Sequence, residues 1–164
     1  MRTLREIGPL GVVVAMVGGG TWLLLGGNET LGSWLLAGLI LAHGLIHLMF
    51  LAPAPPRTVA ASAGGPTWPF ELDASWLTER VGAATVTTVG RTLVVAVAGC
   101  SVLAALATVG VLVPSALWSA LVVSAAGCSL LLLVIAFDPK LVLGVGIDLA
   151  LLWLALWSGW TPVT

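Results

Sequence analysis

The chain has 164 residues, of which 59% are hydrophobic and only 8% charged, and its mean hydropathy is +1.13. A soluble domain carries about 25% charged residues, so six basic and seven acidic side chains cannot clothe a water-facing surface of this size. The same figures exclude a disordered chain, which needs high charge and few apolar residues. A net charge of −1 excludes nucleic acid as a main partner, since that requires a basic patch. What is left is an all-α polytopic membrane protein whose first partner is the lipid bilayer.

A membrane-spanning helix needs roughly 20 mostly apolar residues, and five segments qualify. They run over about 9–26, 31–52, 90–113, 115–137 and 141–160. Lipid offers no partner for backbone N–H and C=O groups, so each continuous run is expected to be helical. A transmembrane barrel would instead show ~10-residue alternating segments. Arg2 and Arg5 before the first run resemble the start of a signal peptide. No small-residue cleavage site stands out after Gly26, however, so the run is read as a retained span. Gly26-Gly27-Asn28-Glu29 separates the first two spans, and Glu29 reads as a solvated loop charge. Pro114 separates the third and fourth, and Asp138-Pro139-Lys140 the last two, with Asp138 and Lys140 as an interfacial pair. These short connections make the third, fourth and fifth helices successive antiparallel neighbours.

With five spans, Arg2, Arg5, Arg57, Arg80, Arg91 and Lys140 all fall on one side. The Lys/Arg bias therefore predicts a cytoplasmic N-terminus and an external C-terminus in a cell inner (plasma) membrane. Tryptophan gathers at membrane interfaces. Trp22, Trp34, Trp118, Trp157 and Trp160 lie near the outer interface of this arrangement, with Trp153 one to two turns deeper.

The cytoplasmic loop, residues 53–89, opens stiffly with Pro53, Pro55 and Pro56. Asp73 or Ser75 is placed to N-cap a short helix through about Val81, with Trp76, Leu77 and Val81 on one side. Trp68, Phe70 and Trp76 would be costly left in water. They either anchor the loop in the headgroup region, dock a partner protein, or form a lid over a cavity.

Ionisable residues at membrane depth default to function. At 1.5 Å per residue, His43 lies roughly 13 Å from the inner end of its span, Asp148 roughly 12 Å, and His47 about 8 Å. His43 and Asp148 are therefore level and pair if their helices touch. The alternatives are simple interhelical hydrogen bonding, a metal or haem-iron ligand set, and a proton relay. His43 and His47, four residues apart, share one helix face. They can approach one metal ion from that side, with Asp148 as a third ligand, but cannot supply both axial ligands of a haem. Cys100 and Cys128 lie roughly 15 and 13 Å from the inner end. They fall in small-residue stripes, Ala96-Cys100-Ala104-Thr108 and Ala116-Ala120-Ser124-Cys128, that would let helices approach closely. Gly144 and Gly146, just before Asp148, would do the same. No nucleophile elbow, Cys-x-x-Cys pair or phosphate-binding loop is present, so nothing marks the chain as an enzyme.

Ala42-His43-Gly44-Leu45-Ile46-His47-Leu48 resembles a segment of an uncharacterised family of small Ala/Leu-rich polytopic bacterial membrane proteins. The stretches Trp68–Leu77, Phe137-Asp138-Pro139 and Gly146-Ile147-Asp148 are similar to segments of the same proteins. The resemblance implies four or five helices and carries no activity. For function, three readings follow. The first is a non-catalytic subunit of a larger respiratory or photosynthetic type of membrane complex, suggested by small size and an aromatic loop. The second is a metal-binding, haem-binding or proton-relay protein built on His43, His47 and Asp148. The third is a small homo-oligomeric channel or transporter.

Overall fold

The computed structural model describes residues 29–53, 69–72 and 75–162. The expected first span, and with it Trp22, lies outside these residues, as do Trp68 and Asp73. The described chain is helical throughout, with no strand. It comprises α1 (Glu29–Ile46), a short α2 (Thr78–Val81), α3 (Ala83–Thr108), α4 (Trp118–Ile135) and α5 (Val142–Leu156). A 3-10 turn, His47–Leu51, continues α1. Others, Ser115–Leu117 and Pro139–Leu141, lead into α4 and α5. Four of the resulting rods are long and apolar enough to cross a membrane: Glu29–Leu51, Ala83–Thr108, Ser115–Ile135 and Pro139–Leu156.

Several boundaries differ from expectation. The second span starts at Glu29, an acidic residue in the first turn, where carboxylates complement the positive end of the helix dipole. The third starts at Ala83 and not at Gly90, so residues 83–89 are helix and not loop. The break is Gly82, whose φ of 87° favours a residue without a Cβ. Gly90 lies inside the helix, where Leu72 fills the space a Cβ would need. At 26 residues α3 is about 39 Å long, more than the ~30 Å of a hydrocarbon core. It ends at Thr108, short of the expected Val113, and Gly110 and Leu112 turn the chain with positive φ ahead of Pro114. The fifth span ends at Leu156 and not at Trp160.

The helices pack in chain order, α1 on α3, α3 on α4 and α4 on α5. On α1 the buried face is Ser33, Leu36, Ala37, Ile40, His43 and Gly44, and it carries on through His47 and Phe50. That three-and-four spacing is the facing stripe of a packed helix, and both histidines lie on it. α1 and α3 cross most closely at Gly44, where an added Cβ would collide with Ser101.

On α4 the buried stripe is Trp118, Val122, Ala125, Ala126, Ser129, Leu132 and Leu133. The expected stripe Ala116-Ala120-Ser124-Cys128 is therefore corrected. Ala116, Ala120 and Ser124 face outward, and Cys128 is half-buried beside the true contact line. Both cysteines are free. α5 buries only Asp148 and Leu151.

The interior divides into two apolar clusters. At the tryptophan end, Leu36, Ile40, Ala104, Trp118, Val122 and Leu151 pack together. Trp118 is fully buried edge-on to Trp160, with ring centroids 4.9 Å apart. It is thus a core residue and not the interfacial anchor the sequence suggests, whereas Trp34 and Trp157 are exposed. At the loop end, Phe50, Leu72, Val94, Leu132 and Ala136 form the second cluster, with Phe70 against it.

The loop returns to the bundle to make that cluster. The last carbonyls of a helix lack partners within it, and here two loop side chains supply them. Ser75 Oγ donates to the Ile135 carbonyl at 2.6 Å and Trp76 Nε1 to that of Val134 at 2.9 Å. Ser75 also accepts from the Leu77 N–H at 3.2 Å. It opens the turn before α2, although Leu77 occupies the cap position itself. α2 is a single turn with no buried residue, so the expected apolar face through Val81 does not form. Asp138, read as partner to Lys140 in an interfacial pair, accepts from the Lys140 backbone N–H at 2.8 Å and caps the turn into α5.

Candidate functional site

Between the two apolar clusters lies a polar layer. His43 Nε2 is 2.8 Å from Asp148 Oδ1, and the two side chains are 6% and 0% exposed. This contact joins α1 to α5, the first and last of the four rods. The pair was level by the arithmetic of helical rise, and the structure turns both side chains toward each other.

The network extends further than the sequence indicated. Ser129, on the buried stripe of α4, places its Oγ 2.5 Å from Asp148 Oδ2 and 2.8 Å from His47 Nε2. His47 Nδ1 is 2.9 Å from the carbonyl oxygen of His43. A carbonyl only accepts, so His47 carries a proton on Nδ1 and donates it there. That bond forms where α1 tightens into its 3-10 turn. The two imidazole rings meet edge to face with centroids 5.1 Å apart. Gly144, one turn before Asp148, brings α5 close, since a Cβ there would touch Leu133 at 3.3 Å. Gly146 faces open space and has no such role.

The surroundings are dry. The crevice beside His43 and Asp148, lined by Ile40, Val97, Ser101, Val122 and Ala126, is too narrow to hold a water molecule. On the loop side, His47 stacks on Phe50 at 6.4 Å, and Phe50 meets Phe70 edge-on at 5.1 Å. Phe70 and Leu72 thus close the end of the bundle beneath His47. Trp76 is 55% exposed, with its indole N–H on the Val134 carbonyl.

Polar groups buried this deep are tolerated when their hydrogen bonds are complete. Within the tetrad, Asp148 uses both oxygens and His47 both ring nitrogens on protein partners. Among the described residues no three His, Cys, Asp or Glu side chains are placed to share a metal ion.

The sequence reading missed Ser129 and singled out its neighbour Cys128. A usable signal existed. Ser129 sits at the depth of the two histidines and Asp148, and serine is one of the residues that bond helices together in membranes. The chain matches no known protein family, no curated protein and no solved structure.

Proposed function

We propose that this is a proton-handling membrane protein whose working site is the buried tetrad His43, Asp148, Ser129 and His47. The observation that carries the reading is the unbroken hydrogen-bonded chain running from α1 through α5 and α4 back to α1 inside a dry bundle. Chains of Asp and His at membrane depth are characteristic of proton relays in pumps and transporters. Imidazole changes charge near neutral pH, which suits it to take and release protons. A metal or haem role has less support, because His47 spends both nitrogens on protein partners. The fold is read as five spans in a plasma membrane, with the N-terminus cytoplasmic and the positive residues inside. Phe70 and Leu72 then close the cytoplasmic end of the site.

The test is proton flux into liposomes holding the purified protein, driven by a potassium diffusion potential and read by an internal pH dye. Flux above that of protein-free vesicles is expected. Asp148→Asn, which keeps the shape and an acceptor for His43, is expected to lower it about a hundredfold, the lower edge of what a positioned acid or base contributes, about 10²–10⁴. Wild-type protein that passes no more protons than bare lipid overturns the reading.

A second reading, a subunit of a larger membrane assembly, is favoured by α5. Only 11% of its span is buried, against 33–39% for the other three, and Leu149 and Trp153 point away from the bundle. Gentle solubilisation followed by native electrophoresis and mass spectrometry tests it. Constant-ratio partners support a subunit, and migration alone or with copies of itself removes the reading.

A further inference from the structure

Ser129 has one hydroxyl proton and stands between two groups that both call for a hydrogen-bond partner. Two arrangements satisfy every bond. In the first, Asp148 is protonated on Oδ2 and donates to Ser129 Oγ, and Ser129 donates to His47 Nε2. In the second, Ser129 donates to an ionised Asp148, and His47, protonated on both nitrogens, donates to Ser129. His43 Nε2 donates to Asp148 Oδ1 in either, and the His47 Nδ1 proton stays on the His43 carbonyl in both.

With His43 as that donor, every other proton count on Asp148, Ser129 and His47 fails. With one proton fewer, Asp148 and His47 compete for a single serine proton. With one more, two donors point at Ser129 Oγ and the serine proton has no acceptor within the tetrad. A buried unsatisfied group is expensive, and the crevice beside His43 and Asp148 is too narrow to admit a water molecule.

We infer that the tetrad holds one shared proton and that Ser129 is the residue that moves it between Asp148 and His47. This rests on the proton-handling reading above and specifies its route. In the transfer the Asp148 Oδ2–H bond breaks as a bond to Ser129 Oγ forms. The serine's own O–H breaks as a bond to His47 Nε2 forms. No proton enters or leaves, and the products are a carboxylate and an imidazolium. The charge moves about one helical turn, ~5 Å, toward the loop end. The remaining ionisable side chains on the helices packed round the site are Glu29 on α1, Arg91 and Cys100 on α3, and Cys128 on α4. None of them hydrogen-bonds to the tetrad.

The experiment combines two spectra on the full-length protein in lipid nanodiscs. Infrared spectroscopy reads the protonated carboxyl of Asp148, assigned by its loss in Asp148→Asn. Nitrogen-15 NMR of labelled histidine reads protonation of His47 Nε2, assigned by its loss in His47→Gln. In wild type the two signals are expected to interchange with temperature, their sum staying at one proton across the pH range. In Ser129→Ala the two signals are expected to lose their fixed sum, with liposome flux falling about a hundredfold, and Ser129→Thr is expected to restore both. Independent protonation of Asp148 and His47 in wild type overturns the inference, without need of any variant. So does flux through folded Ser129→Ala equal to wild type, and that result leaves the proton-handling reading standing. Interchange in a wild-type protein that conducts no protons separates the two the other way.

Discussion

The two ends of the bundle are held by different physics. The tryptophan end is an apolar core of Leu36, Ile40, Ala104, Trp118 and Val122, where contact is non-directional and close shape is enough. Even the buried indole N–H of Trp118 meets no acceptor among the described residues. Toward the loop end, the same helices are joined by directional bonds. Asp148, Ser129 and the two histidines link three helices, and below them Ser75 and Trp76 tie the loop to the end of α4. In lipid, apolar packing between helices gains little over packing against lipid tails, so polar contacts and close fit take a larger share of specificity. The difference between the ends predicts where the protein is sensitive to substitution.

The largest effect is expected at Asp148. It is one of only two buried residues of α5, and its carboxyl partners both His43 and Ser129. Asp148→Leu strands His43 and returns Ser129 to a single partner, and breaking such a buried pair costs about 3–5 kcal/mol. His43→Leu is expected to cost less, because Ser129 still bonds the carboxyl. Thermal unfolding in detergent measures both, and unchanged stability in the two variants would mean that the pair does not hold α5. Leu72→Ala comes next. It empties the space over Gly90 and loosens the plug beneath His47, at about 2–3 kcal/mol for a buried leucine at the edge of a core. The same variant is expected to speed hydrogen exchange of the His47 ring, read by NMR, with no change at the tryptophan end. The smallest effect is expected from Trp118→Phe. No hydrogen bond to the indole is lost, and only packing volume beside Trp160 changes, so about 1–2 kcal/mol is expected from the same melting assay. A cost for Trp118→Phe as large as that for Asp148→Leu would erase the contrast between the ends.

How much of this was legible beforehand depends on the residue. His43 and Asp148 could be placed at one level because rise per residue is fixed along a helix. The short connections around Pro114 and Pro139 fixed α3, α4 and α5 as neighbours. Ser129 was not found, because α4 is apolar on nearly every side and small residues line more than one of its faces. Two stripes, one through Cys128 and one through Ser129, look equally packable. The contacts of Leu72 and Ser75 with the bundle were not found either, although Ser75 was read as a cap, since a loop side chain's partner can lie on a helix some 60 residues away, as with Ile135.

The sequence by itself determined that the chain is helical with rods apolar enough to cross a membrane, roughly where the described rods begin and end, and that His43 and Asp148 lie level along them. Those are properties of composition and of one-dimensional spacing. Only the tertiary structure decided which way each rod is turned. A rod that is apolar all round carries no mark of its facing side. The close crossing at Gly44, the approach of α5 at Gly144 and the completed bonds of Asp148 together select the one rotation in which three helices meet around a single carboxyl.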